Sequence, residues 1–137
     1  MNRQVCNLIS NINNGQLVNK NFIIQLKQKN CVNILNVLWD KGFILGYKIL
    51  KSKPQKIKIF LKYHKGNSVI NSIKILSKPS IRKYYSVKQL WKLKTGDGIV
   101  VLSTNKGFMS DNDCKKNNIG GEPFFLIKWT LFQIVMF

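Results

Sequence analysis

Apolar residues recur at helical spacing in two segments near the start of the chain. In each segment they follow i, i+3, i+4 and i+7, and the residues are Val5, Leu8, Ile9 and Ile12 in the first and Cys31, Ile34, Leu35 and Leu38 in the second. This pattern predicts two amphipathic helices. We expect the first to end near Gly15, and the second to begin with Asn30 as N-cap and to end at Gly42 as C′ residue.

Alternating apolar and polar residues then predict strands. A short strand is expected at Phe22–Leu26, and two longer ones at Phe43–Leu50 and Lys56–Tyr63, joined by the hairpin loop Lys51–Gln55. In the last of these, one face carries Ile57, Ile59, Leu61 and Tyr63, and the other carries Lys56, Lys58, Phe60 and Lys62. Because the apolar face must cover the helices, the lysine-rich face is left for solvent or RNA.

Strand signals dominate the second half of the chain. The predicted elements are, in order, a strand at Val69–Leu76, a directed connection at Ser77–Lys83 around Pro79, a short helix at Val87–Leu93, an apolar strand at Ile99–Leu102, a single-turn helix opened by the capping motif Ser110-x-x-Asp113 and running through Lys116, and a chain reversal at Gly120–Gly121 into the last strand.

These elements predict an α+β protein of two small lobes. The N-terminal lobe has the order α-β-α-β-β, and the C-terminal lobe is mainly β with a short helix. We place the N-terminal lobe at residues 1–67, a connecting strand and basic loop at 68–83, and the C-terminal lobe with an apolar tail at 84–137. With 137 residues and 45% hydrophobic content, the chain can build a real core.

The charge of the chain points to a polyanionic partner. Lysine and arginine total 23 against 5 acidic residues, which gives a formal net charge of +18. Such an excess repels itself in isolation and is typical of proteins that bind nucleic acid. A solvated basic face is the alternative.

Composition gives little support for catalysis or metal binding. The five carboxylates are isolated, no Ser-His-Asp set can be built around the single histidine, His64, and no phosphate-loop motif is present. His64 is expected at the surface near a strand end. Cys6, Cys31 and Cys114 are too scattered for a zinc pair or a disulfide framework, so we expect buried or half-buried thiols. The prediction is no enzyme, no cofactor and no metal.

The C-terminal residues from Phe124 to Phe137 are strongly apolar. This stretch of 14 residues contains Lys128 and Gln133, whereas a membrane helix needs about 20 apolar residues. Aromatic and β-branched residues favour a strand or a tail that docks on a partner. We therefore expect no membrane contact, with association to a membrane surface as the alternative.

The amino-acid composition also indicates the kind of genome that encodes the chain. The chain has 21 lysines against 2 arginines, 16 asparagines, 17 isoleucines and no alanine. Lys, Asn and Ile have A/T-rich codons, so the gene is typical of an A/T-rich organellar genome. The first residues lack the arginine- and serine-rich arm of an imported precursor. These features favour a mitochondrial, organelle-encoded protein, with a plastid or an A/T-rich bacterial cytoplasm as alternatives.

Four motifs, in order along the chain, carry a family resemblance. They are Leu8-Ile9-Ser10-Asn11-Ile12-Asn13-Asn14-Gly15, Leu38-Trp39-Asp40-Lys41-Gly42-Phe43-Ile44, Ser77-Lys78-Pro79-Ser80-Ile81-Arg82-Lys83-Tyr84, and Ser103-Thr104-Asn105-Lys106-Gly107 followed by Gly120-Gly121-Glu122. Over residues 4 to 127 the chain resembles small-subunit ribosomal protein eight. Asn105 stands where many members have serine, Ser80 replaces a glycine, Cys114 replaces an alanine, and Pro123 replaces a β-branched residue.

The resemblance implies a non-enzymatic component of the small ribosomal subunit. It implies a monomer within the ribosome that binds the central domain of small-subunit ribosomal RNA mainly through its C-terminal lobe, supports subunit assembly and translation, and contacts neighbouring ribosomal proteins. The expected RNA-binding residues are Ser103, Thr104, Asn105, Lys106, Gly107, Gly120, Gly121, Glu122, Lys78, Arg82, Lys83, Tyr84, Lys53, Lys56 and Lys58. A free basic RNA-binding or RNA-chaperone protein is the alternative function. An ordinary Ser/Thr turn at Ser103–Gly107 and a structural cap at Glu122 are the alternatives for the site.

Overall fold

Two antiparallel sheets, of three and four strands, form the framework of the protein. The computed structural model describes residues 3–76, 84–93 and 98–129. The elements are α1 (Arg3–Leu17), β1 (Phe22–Leu26), α2 (Lys29–Asp40), β2 (Ile44–Leu50), β3 (Lys56–Leu61), β4 (Tyr63–His64), β5 (Asn67–Ser68), β6 (Ile70–Ile75), α3 (Val87–Lys92), β7 (Gly98–Thr104), β8 (Gly107–Ser110), α4 (Asp111–Asn117) and β9 (Glu122–Trp129). The α+β prediction, with its order of helices and strands, is confirmed.

The N-terminal sheet has the strand order β1-β3-β2 and is covered by helices on one face. Ile57 and Ile59 of β3 are buried beneath α1 and α2, together with the apolar stripe of each helix. The opposite face carries Lys56, Lys58 and Phe60, as the alternation predicts.

The strand predicted at Lys56–Tyr63 differs from the structure at its end. β3 stops at Leu61, and Tyr63–His64 pairs instead with Asn67–Ser68 in a separate small hairpin. The turn of this hairpin has positive φ at both Lys65 (51°) and Gly66 (80°), which is the backbone that a tight two-residue hairpin requires. His64 is half-buried at the end of β4.

The C-terminal sheet has the order β6-β9-β7-β8 and is buried on both faces. Ile99 and Val101 of β7 join the core that the N-terminal helices and sheet also share. Val100 and Leu102 point the other way, into a second cluster with Leu90 of α3 and Cys114 of α4. The uninterrupted apolar run of β7 is explained by this double burial.

The ends of α1 and α2 agree with the sequence predictions at some positions and differ at others. α2 begins at Lys29 with Gln28 as N-cap, so the prediction of Asn30 as the cap is wrong, since Asn30 lies inside the first turn. Gly42 follows the C-cap Lys41 with φ of 79°, which confirms its C′ role. α1 continues beyond Gly15 to Leu17, so the predicted end near Gly15 falls within the last turn. Gly15 is needed for another reason, because a Cβ there would lie 2.7 Å from Ile23 Cγ2, where the helix packs tightly on β1.

The short helices of the C-terminal lobe are capped by serines. Ser86 and Gln89 form a complete capping box at α3, and the Ser110 hydroxyl accepts a hydrogen bond from the Asp113 backbone N–H at α4. α4 runs from Asp111 to Asn117 and is longer than the predicted single turn. Asn118 ends it in the left-handed conformation with φ of 57°, so the reversal begins there and not at Gly120–Gly121.

Three predicted segments lie wholly or partly outside the described residues. They are the connection Ser77–Lys83, the turn that precedes Gly98, and the tail from residue 130. In the structure, β6 pairs with β9, so the strand predicted between the lobes belongs to the C-terminal sheet. The division of the chain into segments 1–67, 68–83 and 84–137 stays a prediction.

The three thiols are buried or half-buried, as expected. Cys31 and Cys114 are buried and Cys6 is half-buried. Burial raises the pKa of the Cys114 thiol to about 11, and the neighbouring carboxylates of Asp111 and Asp113 contribute in the same direction. The Cys114 thiol therefore stays protonated at neutral pH and behaves as a small apolar side chain.

Asp111, the first residue of α4, is an ionisable group inside the C-terminal lobe. Its side chain is buried, and its Oδ1 has no hydrogen-bond partner among the described residues. Burial raises the pKa of Asp111 above its ordinary value of 3.8, while the positive charge of Lys115 and hydrogen bonds from backbone N–H groups oppose this shift. The ionised carboxylate is thus a net cost to the fold.

We predict that Asp111→Asn stabilises the protein more at pH 7 than at pH 3.5. Because the folded-state pKa is raised, the folded protein binds more protons than the unfolded chain just above pH 3.8, so the contribution of Asp111 to stability falls as pH rises through that range. Asparagine resembles the neutral acid and removes this dependence. Urea unfolding of both proteins at the two pH values measures it. Equal gains at both would contradict the assignment.

Candidate nucleic-acid interface

The segment Ser103–Gly107 forms the tight turn between β7 and β8. Thr104 pairs directly with Gly107 across the hairpin. The Thr104 hydroxyl donates a hydrogen bond to the Gly107 carbonyl at 2.7 Å and accepts one from the Lys106 backbone N–H at 3.2 Å. Gly107 has φ of 104°, a conformation that residues with a Cβ rarely adopt. Thr104 and Gly107 therefore fix the shape of the turn, and Asn105 and Lys106 are exposed at its tip.

Gly120, Gly121 and Glu122 lie against this turn. Glu122 is directly opposite Ser103 in the pairing of β7 and β9, so the two side chains share one face. A Cβ on Gly121 would lie 2.7 Å from the Ser103 carbonyl oxygen and 2.9 Å from Thr104 Cγ2. The glycine is therefore required for the close approach of the two segments.

The start of the C-terminal lobe completes this cluster. The backbones of Tyr85 and Gly121 exchange two hydrogen bonds, of 2.9 Å and 3.0 Å. A Cβ on Gly120 would lie 2.5 Å from the Tyr85 carbonyl oxygen and 3.2 Å from the Tyr84 hydroxyl. Tyr84 is 68% exposed, so its ring is available beside the glycine pair. The structure thus brings together Tyr84, the turn and the Gly-Gly-Glu segment, although they are distant in sequence.

The chemistry of the cluster suits a polar, anionic ligand. Ser103 presents a hydroxyl that can donate and accept, Asn105 an amide with the same capacity, and Lys106 an exposed ammonium. Glu122 is half-buried beside Ser103 and adds an acceptor. Such a set, held on paired strands, can hydrogen-bond sugar hydroxyls, base edges and phosphates together.

The remaining predicted residues divide into two groups. Lys56 and Lys58 lie on the open face of β3, and Lys53 lies in the loop between β2 and β3, so all three belong to the N-terminal lobe. Lys78, Arg82 and Lys83 lie outside the described residues.

Two neighbourhoods were missed by the sequence analysis. Trp91 of α3 is 66% exposed, and Lys115 Nζ of α4 lies 5.2 Å from the centroid of its ring. Phe22 and Phe60 are directly paired on β1 and β3, with Lys58 Nζ 4.1 Å and 5.4 Å from their respective centroids. The alternation of β3 placed Phe60 on the lysine face, but nothing in the sequence indicated that Phe22 lies beside it.

Over residues 3–76, 84–93 and 98–129, no three His, Cys, Asp or Glu side chains come together in a way that could hold a metal ion. In the same part of the chain, no helix has the length and apolar character needed to cross a bilayer.

Comparison with known proteins identifies the family. A family model described as Ribosomal protein S8 matches residues 3–127. The small ribosomal subunit protein uS8 of Buchnera aphidicola subsp. Cinara cedri (strain Cc) is 39% identical over 122 residues, covering 89% of this chain and 94% of that protein. The protein of the same name from Rhodopseudomonas palustris (strain BisA53) is 41% identical over 125 residues, covering 90% and 95%.

A third relative gives the same result. The small ribosomal subunit protein uS8 of Nitrobacter hamburgensis is 39% identical over 125 residues, covering 90% of this chain and 95% of that protein. The match begins in α1 and extends into β9, so it contains both lobes and the whole cluster around Ser103 and Glu122. The chain therefore belongs to the ribosomal protein S8 family, a family of structural, non-enzymatic proteins of the small ribosomal subunit.

Proposed function

We propose that this chain binds the central domain of small-subunit ribosomal RNA directly, and that this contact supports subunit assembly and translation. The observation that carries the proposal is the pairing of Ser103 with Glu122, closed by Gly121 against the Ser103 carbonyl. This pairing joins two polar segments into one surface at the end of the two central strands of the C-terminal sheet. Membership of the S8 family supplies the ribosomal context.

The geometry of folded RNA explains why such a surface suits it. The major groove of A-form RNA is deep and narrow, whereas the minor groove is wide and displays 2′-hydroxyls and base edges. Short side chains on a flat support can reach these groups without ordering long flexible stems. Ser103 and Asn105 match this requirement, because both can donate and accept hydrogen bonds close to the backbone.

Each residue of the cluster has a distinct proposed role. Ser103 and Asn105 contact 2′-hydroxyls or base edges, Lys106 contacts a phosphate, and Tyr84 offers its exposed ring and hydroxyl beside Gly120. Thr104 and Gly107 hold the shape of the turn, and their exposed atoms face the same RNA. Glu122 accepts hydrogen bonds from base amino groups or fixes the neighbouring backbone.

The basic residues outside this cluster would supply affinity more than sequence recognition. We propose phosphate contacts for Lys78, Arg82 and Lys83, and for Lys53, Lys56 and Lys58 of the N-terminal lobe. With a net charge of +18, the protein gains free energy from every phosphate that its lysines and arginines neutralise, because each such contact releases a counterion from the RNA. Neighbouring ribosomal proteins are further proposed partners.

We also propose that the ribosome in question is mitochondrial. The support is the lysine-, asparagine- and isoleucine-rich composition without alanine, which indicates an A/T-rich gene. The relatives described above are bacterial, which agrees with an organellar ribosome of bacterial type and equally with a bacterial one. Mass spectrometry of small subunits from purified mitochondria tests the location, and detection of the chain only in plastid or cytoplasmic ribosomes would refute it.

We predict that Ser103→Ala weakens binding to the cognate ribosomal RNA helix by about 1 kcal/mol, roughly fivefold, because one hydroxyl contact is lost. Binding to a helix of scrambled sequence should change much less. Fluorescence anisotropy on both RNAs measures the two affinities. Ser72→Ala is the matched control, since Ser72 is an exposed serine of β6 on the same sheet. Equal losses on the two helices would indicate a loose basic RNA binder and not a specific ribosomal contact.

We predict that Lys106→Gln lowers the salt dependence of RNA binding by a slope of about one, because one phosphate contact releases about one counterion. The loss should be similar for the cognate and scrambled helices. Lys29→Gln removes the same charge from an exposed position of the N-terminal lobe and serves as control. Plots of the logarithm of the binding constant against the logarithm of salt concentration give the slopes. An identical reduction in both variants would show that only net charge matters.

A further inference from the structure

The outer face of the N-terminal sheet combines apolar and basic side chains. Its side chains form three rows across the strands β1, β3 and β2, which are Phe22–Phe60–Gly46, Ile24–Lys58–Lys48 and Leu26–Lys56–Leu50. We refer to these nine residues as the outer face. The helices α1 and α2 cover the opposite side of the sheet, where Ile23, Ile57 and Ile59 are buried.

The apolar members of the outer face are unusually exposed. Phe22, Ile24 and Leu26 are 42%, 47% and 45% exposed, and they follow one another along the edge strand β1. Gly46, opposite Phe60, has no side chain to cover that ring. A contiguous apolar patch that stays exposed on a folded protein usually marks an interaction surface.

The charges on the outer face select the partner. The second and third rows contain three lysines, Lys48, Lys56 and Lys58. Among the described residues, no carboxylate lies within ion-pair distance of these lysines. Lysine is depleted in the cores of protein–protein interfaces, so a surface with lysines at its centre is poorly suited to another protein. Lysines beside exposed aromatic rings are instead typical of surfaces that bind unpaired nucleotides.

The rings and the central ammonium are arranged for such a ligand. Lys58 Nζ lies 4.1 Å from the centroid of Phe22 and 5.4 Å from that of Phe60, so both rings hold the ammonium by cation–π attraction. A phosphate beside Lys58 would bring the attached base near one of the two rings. An open antiparallel sheet with helices on its other face and aromatic residues on neighbouring strands can stack bases in this way.

We propose that the outer face binds unpaired RNA nucleotides, with Phe22 and Phe60 stacking bases and Lys48, Lys56 and Lys58 holding phosphates. This surface is separate from the Ser103–Glu122 cluster. The inference rests on the proposed function in taking ribosomal RNA as the source of the nucleotides and in the phosphate contacts of Lys56 and Lys58; the stacking by Phe22 and Phe60 and the role of Lys48 are new.

The test uses the full chain and a fluorescein-labelled RNA of about ten nucleotides, composed of adenosine and cytidine so that it stays single-stranded. Heparin, a polyanion without bases, is the second probe. The double variant Phe22→Leu with Phe60→Leu keeps apolar area but removes both rings. We expect this variant to lose at least about fivefold in RNA affinity for each ring removed. Its affinity for heparin should change by less than about twofold. Phe22→Tyr with Phe60→Tyr keeps the rings and should retain RNA affinity.

Ile49→Ala is the matched control. Ile49 is a 39% exposed apolar residue of the same sheet, but it is paired with Ile57 and therefore lies on the helix-covered face. It should leave RNA affinity within about twofold of the original. Thermal unfolding of every variant checks that the fold is intact, and none of the substituted side chains is fully buried.

Several outcomes would overturn the proposal. These are no binding of the single-stranded RNA by the original chain, an unchanged affinity in the leucine double variant, an equal loss on heparin, or an equal loss in Ile49→Ala. Titration of the cognate helix separates this result from the proposed function. If Ser103→Ala leaves binding of the cognate helix unchanged while the outer face still binds single-stranded RNA, only the proposed function is refuted. If Ser103→Ala weakens binding of the cognate helix but the outer face fails these tests, only this inference is refuted.

Discussion

The pairing of β7 with β9 is the constraint on which the rest of the structure depends. β7 is covered on one face by the core shared with the N-terminal lobe and on the other by α3 and α4, so its backbone is packed from both sides. Even at the start of β7 the fit is close, because a Cβ on Gly98 would clash with the Ile127 carbonyl oxygen. The end of this strand pair carries Ser103 and Glu122. A polar site on such a support is held in its geometry before any ligand arrives, which lowers the entropic cost of binding.

The same arrangement couples the two lobes. The core that contains the apolar stripes of α1 and α2 continues into Ile73, Ile99, Val101, Phe125 and Ile127 of the C-terminal sheet. At the surface, Lys41 at the end of α2 pairs with Asp113 of α4, with Nζ and Oδ1 3.4 Å apart. The pair is partly exposed and contributes little energy, so apolar burial holds the lobes together.

Much of the fold could be predicted from local sequence patterns, but only part of the candidate site could. The helical stripe at Val5–Ile12, the alternation in β3 and the C′ glycine Gly42 each reflect a local rule, and each is confirmed. The prediction of the N-cap of α2 was wrong because the true cap, Gln28, makes no capping hydrogen bond with its side chain, whereas Asn30 is a residue type that favours this position. Gly120 and Gly121 were recognised, but as a chain reversal. Their requirement comes from the backbones of Tyr85 and Ser103, which lie close only after folding. The same reason hid the neighbourhood of Phe22 and Phe60, since strand register across 38 residues is not a local property.

The distribution of carboxylates shows why this protein needs a polyanion and yet folds. Within the described residues there are four acidic side chains, and two of them, Asp111 and Asp113, lie in the first turn of α4. The helix dipole favours negative charge there, but for the buried Asp111 the cost of burial exceeds this gain. Asp113 also reaches Lys41, and Glu122 lies at the start of β9. The fourth, Asp40, is the last residue of α2, and none lies on the strands of the N-terminal sheet, so the acidic residues leave the general positive charge uncompensated. That repulsion is a cost which apolar burial must exceed in the free protein. The phosphate contacts proposed for both lobes would remove it, so RNA bound in this way would also stabilise the folded chain.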